Sequence, residues 1–63
     1  MMTLRDYLAT PDGDSCVSVC FFDHNGQQCA MSVEEAKMDA EVLAKRIDRN
    51  VRTTSGEVIS WLR

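Results

Sequence analysis

The chain has 63 residues, of which 44% are hydrophobic and 27% are charged, and its formal net charge is −3 at pH 7. This composition predicts one small folded domain rather than a disordered segment. A domain of this size buries only about 60% of its extended surface, so it is marginally stable and has little room for an enclosed pocket. The sequence therefore predicts a protein that is not an enzyme and needs no cofactor.

The charge is unevenly distributed, with −6 on residues 1–44 and +3 on residues 45–63. An acidic chain is not attracted as a whole to nucleic acid or to anionic lipid. We find no run of the roughly 18 apolar residues that a membrane span needs, and no signal-peptide pattern. Three cysteines, an odd number, are typical of a reducing compartment. These features predict a cytoplasmic protein without membrane contact.

A short helix is predicted over residues 3–9. Thr3 is a suitable N-cap, and Asp6 three residues later makes a weak capping box. The apolar residues that follow have helical spacing: Leu4, Tyr7 and Leu8.

A β-hairpin is predicted next, with strands over 16–22 and 28–31, because the first of these segments is β-branched and aromatic. Asn25 and Gly26 favour a two-residue type I′ loop, in which both residues need a positive φ. The resulting register sorts the side chains into two apolar faces. One face has Val17, Val19, Phe21 and Ala30, and the other has Cys16, Cys20, Phe22, Cys29 and Met31.

A long amphipathic helix is predicted over residues 33–50. Ser32 and Glu35 form a full capping box at its start. Acidic residues open the segment and basic residues close it, as the helix macrodipole favours. Its apolar stripe consists of Val33, Ala36, Ala40, Leu43, Ala44, Ile47 and Val51.

The segment 57–62 is predicted to be a strand, with a short helix capped by Ser55 as the alternative. The complete prediction is a single small α+β domain of order α-β-β-α-β with a two- or three-stranded antiparallel-type sheet. The last strand is expected beside the first and antiparallel to it, and the long helix is expected to cover one face.

Three residues are weak candidates for a metal site, namely Cys20, His24 and Cys29. Cys16 and Cys20 are about 13 Å apart along a strand, so one tetrahedral ion cannot easily bind both. Buried cysteines normally act as small apolar residues, and the prediction is therefore no metal. A small thiol- or metal-binding protein is kept as the second alternative function.

Four basic residues follow one another near the end of the predicted long helix: Lys45, Arg46, Arg49 and Arg52. They indicate a contact with nucleic acid or with an acidic partner. The same cluster also complements the helix dipole without any further function. A nucleic-acid-associated regulator is therefore the first alternative, and nucleic acid is not the expected partner.

The leading hypothesis is a protein-interaction module that binds or occludes another macromolecule. Both faces of the predicted hairpin are apolar, so some apolar side chains need a partner protein or a second copy to cover them. The predicted contact residues are Val17, Val19, Phe21, Ala30, Met38, Val42 and Trp61.

Residues 28–44, a strand that leads into a capped helix, resemble segments of small proteins of phages and mobile elements. This resemblance implies an inhibitor of a host system and assigns no role to any single residue.

Overall fold

Four β-strands form one mixed sheet, and three short helices pack against one of its faces in the described part of the chain. The structure is a computed structural model, and it describes residues 2–63. The strands are β1 (Cys16–Phe22), β2 (Gln28–Ser32), β3 (Ile47–Arg52) and β4 (Val58–Leu62). The helices are α1 (Leu4–Leu8), α2 (Val33–Ala36) and α3 (Ala40–Leu43), and a 3₁₀ turn spans Pro11–Ser15.

The strand order is β2-β1-β4-β3, which places β1 and β4 in the centre of the sheet and β2 and β3 at its edges. The two hairpins, β1–β2 and β3–β4, are antiparallel, whereas the central pair β1–β4 is parallel. Helices α2 and α3 connect the two edge strands.

The first hairpin is closed by a five-residue loop, Asp23–Gln27. The amide N–H of Asp23 donates to the carbonyl of Gln27 at 3.0 Å, and that of Gly26 donates to the carbonyl of Asp23 at 2.9 Å. Gly26 has a φ of 80°, a conformation that favours glycine. The Asp23 carboxylate also accepts the amide N–H of Gln27 at 2.9 Å. Asp23 therefore stabilises a longer loop than the type I′ turn that the sequence predicts.

The longer loop makes the predicted register wrong by one residue. Phe21 pairs with Cys29, where the two-residue loop would have placed Ala30. Because successive side chains of a strand point to opposite faces, this shift moves every side chain of β2 to the other face.

The second hairpin repeats the same loop at Thr53–Glu57. The amide N–H of Thr53 donates to the carbonyl of Glu57 at 2.7 Å, and that of Gly56 donates to the carbonyl of Thr53 at 3.0 Å. Gly56 has a φ of 88°, and the hydroxyl of Thr53 accepts the amide N–H of Glu57 at 3.3 Å. A polar first residue and a glycine at the fourth position are thus common to both loops.

The hydrophobic core lies between the helices and one face of the sheet. It contains Leu4, Tyr7, Cys16, Val19, Phe21, Val33, Ala36, Val42 and Leu62. The one buried polar side chain of the described residues is Ser60, which has no solvent exposure. Its hydroxyl donates to Oδ1 of Asn50 at 2.7 Å and lies 3.4 Å from the thiol of Cys16. This hydrogen bond satisfies the buried hydroxyl, whose burial alone would be costly.

Gly13 allows the 3₁₀ turn to pack directly on α1. A Cβ atom at this position would lie 2.7 Å from Cα of Leu8 and would overlap the carbonyl oxygen of Tyr7. The opposing atoms belong to the backbone, so no side-chain rotation can relieve the overlap.

The predicted helix over 33–50 is wrong. The segment folds into α2, a turn, α3 and the strand β3. Asp39 starts a new helix because its carboxylate accepts the amide N–H groups of Glu41 and Val42 at 3.1 and 3.3 Å. After α3, residues 47–52 pair with β4 instead of continuing as a helix. Tertiary pairing with a distant strand outweighs the helical spacing of the apolar residues.

The predicted sheet is also wrong in size and direction. It has four strands rather than two or three, and β4 runs parallel to β1 rather than antiparallel. The strand prediction for 57–62 is correct, since β4 occupies Val58–Leu62. The short-helix alternative for that segment is therefore excluded.

Candidate interaction surface

One face of the sheet is not covered by the helices, and we call it the open face. In β4, Val58, Ser60 and Leu62 are buried toward the helices, whereas Ile59 and Trp61 alternate with them and are half-buried. The pairing register extends the same alternation across the sheet. The open face then comprises Ser18, Cys20, Phe22, Gln28, Ala30, Ser32, Arg49, Val51, Ile59 and Trp61.

Trp61 lies at the centre of an aromatic and cationic cluster on this face. Its ring stacks on that of Phe22 with the centroids 6.1 Å apart and the planes at 28°. On the other side, Arg49 is its cross-strand partner, and the guanidinium carbon lies 5.6 Å from the Trp61 ring centroid. Phe22 remains 56% exposed. Such a cation–π pair contributes about 0.5–1 kcal/mol at an exposed site. Burial of the aromatic rings against a partner would add a larger stabilisation, because apolar area would be removed from water.

The open face carries a different charge from the rest of the molecule. Among its described strand positions Arg49 is the single charged residue, although the chain as a whole has a net charge of −3. The nearest carboxylate in sequence, Asp48, forms an ion pair with Arg63 at 2.7 Å. The acidic residues of α2 and α3 instead lie on the helical side, where Glu34, Glu35 and Glu41 are exposed. The open face is therefore apolar with a positive group, and the helical layer is acidic.

A cleft of about 480 Å³ lies between the first hairpin loop and α3. Its lining residues are Phe21, Phe22, Asp23, His24, Asp39, Glu41, Val42 and Lys45. Two of its carboxylates already have structural roles, because Asp23 stabilises the hairpin loop and Asp39 caps α3. The Lys45 ammonium lies 4.9 Å from the ring centroid of Phe21. Asp23, Asp39 and Lys45 of the lining therefore each have a structural contact within the fold.

The predicted contact residues fall into three groups in the structure: three in the core, two on the open face and two at separate exposed positions. Val19 and Phe21 lie in the core beneath the helices, and Val42, with 3% exposure, also belongs to the core. Val19 is fully buried, whereas Phe21 and Val42 reach the surface only at the wall of the cleft. The one-residue change in register explains why Ala30 faces the opposite side of the sheet from Val19 and Phe21.

The other predicted contact residues are exposed or half-buried, but they are not together. Ala30 and Trp61 lie on the open face. Val17, at the irregularity between Cys16 and Ser18, is 38% exposed. Met38 is 85% exposed in the turn between α2 and α3.

The three weak metal candidates do not converge. Cys20 lies on the open face, whereas Cys29 faces the helical side and its thiol donates to the Asp23 carboxylate at 3.9 Å. His24 is exposed in the hairpin loop. Within residues 2–63, no group of three or more His, Cys, Asp and Glu side chains is placed to hold a metal ion.

The four basic residues do not form a helix terminus, because the long helix is absent. Lys45 contacts Phe21, and Arg46 pairs through its backbone with Thr3 and Arg63. Arg49 lies on Trp61, whereas the guanidinium of Arg52 donates to the carbonyl of Gly56 at 2.8 Å. Each of the four basic residues therefore has a different local contact in the fold.

Sequence reasoning did not select Phe22 and Cys20 as members of the uncovered face. The signal that identifies them is the loop Asp23–Gln27. An aspartate at the first position and a glycine at the fourth are typical of a type I turn followed by a bulge, which sets the observed register.

Comparisons with known proteins assign no family to this chain. A scan against protein-family models, a search of curated proteins and a search of solved structures each found no match. Across residues 2–63, the helices are all too short to cross a lipid bilayer.

Proposed function

We propose that this protein is a non-enzymatic binding module whose open face contacts another protein. The observation that carries the proposal is the position of Trp61, which lies between Phe22 and Arg49 on a sheet face that the helices leave uncovered. Tryptophan and arginine are among the residues most enriched at the energetic centres of protein interfaces. Large apolar side chains grouped on one uncovered face are typical of an interaction site.

The charge pattern defines the partner that this face fits. An apolar surface with a carboxylate near its centre would cover Trp61 and pair with Arg49. A partner with an acidic group is attracted by the open face and repelled by the acidic helices α2 and α3. The charge pattern therefore favours one orientation of binding as well as one class of partner surface. An inhibitor of a host protein, as implied by the resemblance of residues 28–44 to phage proteins, would be a binder of this kind.

Single-stranded nucleic acid is the competing partner, because Phe22, Trp61 and Arg49 also offer a surface for stacking bases. The charge favours a protein instead. One arginine supplies about one phosphate contact, and the net charge of −3 opposes the approach of a polyanion.

The test is affinity capture from a lysate of the cells that make the protein, followed by a binding measurement with the captured partner after purification. Trp61→Ala and Arg49→Glu remove the two central groups of the open face. Met38→Ala is the matched control, since Met38 is 85% exposed and lies outside that face. Circular dichroism establishes that each variant is folded.

We expect one protein to be captured by the wild type and by Met38→Ala, with affinity lowered at least about 30-fold by Trp61→Ala, a hot-spot cost of about 2 kcal/mol. Equal capture by the wild type and both open-face variants would refute the proposal. Binding to single-stranded oligonucleotides that falls steeply with salt and disappears in Trp61→Ala would also refute it, in favour of nucleic acid.

A further inference from the structure

The two edges of the sheet differ in their protection against further strand pairing. At β3, the register shifts between Ile47 and Arg49, and the strand carries Asp48, Arg49 and Arg52. Its first residue also donates its amide N–H to the carbonyl of Met2 at 2.8 Å. A bulge, charged side chains and a covering segment are three devices by which proteins prevent edge pairing.

The other edge, β2, has none of these devices. The strand Gln28–Ser32 contains no charged residue and no proline, and its pairing with β1 has no register shift. In the described sheet, β1 is its single neighbour. A regular, neutral edge of five residues is a template for an additional strand.

The register identifies which backbone groups of β2 face outward. Asp23 and Gln27 are joined by a backbone hydrogen bond, and in an antiparallel ladder bonded and non-bonded pairs alternate. The pairs that bond to β1 therefore include Cys29 and Met31. The N–H and C=O groups of Gln28 and Ala30 and the N–H of Ser32 point away from β1, whereas the C=O of Ser32, the N-cap of α2, is directed into the first turn of that helix.

The chemistry of β2 is symmetric about Ala30. On either side of it, Cys29 and Met31 are half-buried sulfur-containing side chains, and beyond them Gln28 and Ser32 are exposed and neutral. A twofold axis requires a surface that is complementary to itself. Pairing two β2 strands antiparallel about Ala30 places the two alanines opposite each other, each Cys29 opposite the second copy's Met31, and each Gln28 opposite the second copy's Ser32.

We infer that β2 binds a second copy of this chain, in antiparallel register about Ala30, to give a continuous eight-stranded sheet. The twofold axis runs perpendicular to the sheet, so both helical layers lie on one side and both open faces lie on the other. This contact uses backbone groups at the edge and does not depend on the open-face function proposed above. A single added ladder buries less than the about 1,200 Å² of a standard interface, so the dimer is reversible.

The first test measures mass by sedimentation equilibrium between about 10 µM and about 1 mM, a range in which a reversible dimer changes its population. Ala30→Pro removes the outward N–H of Ala30 and leaves the ladder with β1 intact, because proline is tolerated at such an edge position. Ala30→Val is the matched control, since it keeps the N–H and favours a strand. We expect the wild type and Ala30→Val to approach twice 7.1 kDa at high concentration and Ala30→Pro to remain at 7.1 kDa.

The second test uses the unchanged protein, so it does not depend on the folding of a variant. Amide hydrogen exchange is measured by NMR at about 50 µM and about 1 mM. The outward amides of Gln28 and Ala30 are expected to exchange at least about fivefold more slowly at the higher concentration, whereas those of Cys29 and Met31 are protected at both.

A wild-type chain that stays monomeric at about 1 mM, or exchange at Ala30 that does not depend on concentration, would overturn the inference. Dimerisation of Ala30→Pro equal to that of the wild type would do the same. Trp61→Ala leaves β2 unchanged and is expected to dimerise. Loss of the dimer in Trp61→Ala alone would transfer self-association to the open face and contradict the edge pairing.

Discussion

Gly13→Ala is predicted to be among the most destabilising single-methyl additions in this chain. The added Cβ would lie 2.7 Å from Cα of Leu8 and overlap the carbonyl oxygen of Tyr7. Ordinary carbon–carbon contacts are about 3.5–4.0 Å, so α1 and the 3₁₀ turn must separate by roughly 1 Å. Helix α1 contributes Leu4 and Tyr7 to the core, with 0% and 7% exposure, and this movement weakens the packing of both.

Overpacking against a fixed backbone costs about 3 kcal/mol, at the upper end of the usual range. The expected stability of a 63-residue domain is about 3–9 kcal/mol in total. We therefore expect Gly13→Ala to lose at least a third of the stability and to lower Tm by about 12–24 °C. The assay is urea unfolding followed by the fluorescence of Trp61, the sole tryptophan, and by circular dichroism.

Gly26→Ala is the matched control for the same change. Gly26 has a φ of 80°, but no atom lies within 4 Å of the added Cβ, so the cost is the backbone strain of about 1–2 kcal/mol alone. A Gly13→Ala variant within about 0.5 kcal/mol of the wild type, or more stable than Gly26→Ala, would refute the steric reasoning.

Two further predictions concern the cap of α3 and the buried phenol. Asp39→Ala should lower the free energy of unfolding, measured in urea, by about 1 kcal/mol because it removes the side-chain acceptor of two amide N–H groups. Glu41→Ala, a change at an exposed neighbour, should lower it by less than about 0.5 kcal/mol. Equal losses in the two variants would contradict the capping role of Asp39. Burial raises the pKa of Tyr7 above 10.0, with Cys16 and Asp12 raising it further and Arg52 opposing them. The unfolded chain then loses the phenolic proton at a lower pH than the folded chain, so the free energy of unfolding falls as pH rises above about 10. Tyr7→Phe should therefore lose less stability than the wild type between about pH 8 and about pH 11. An identical fall in stability in both proteins would exclude this role of Tyr7.

Local signals in the sequence are sufficient for several elements of the fold. Strand β1 occupies the predicted residues 16–22, because a short β-branched and aromatic run has few alternatives. The Thr3 cap with Asp6 forms at the start of α1. Both elements depend on residues that are close together in the sequence, so they can be predicted from a single sequence.

The elements that sequence reasoning missed depend on distant partners. Strand β3 is almost entirely exposed, so it has no alternating apolar pattern, and its pairing with β4 creates it. Helical spacing over 33–50 is present in the sequence but is interrupted at Asp39, which is both a tolerable helix residue and a good N-cap. The predicted surface residues of β2 were assigned to the wrong face because the loop Asp23–Gln27 shifts the register by one residue. A shift of one residue moves every side chain of β2 to the other face of the sheet.

The parallel pairing of β1 with β4 has a consequence for the order in which the chain acquires its structure. Each hairpin needs contacts between neighbouring segments alone and can close in about 1–10 µs, whereas the central ladder joins Cys16 to Val58, which are 42 residues apart in the chain. We expect the formation of this ladder to be the kinetic barrier to folding, because the entropy of closing that large loop is lost in this one step. Destabilising side-chain changes along the β1–β4 seam should therefore slow refolding, whereas equally destabilising changes at the outer edges should mainly accelerate unfolding.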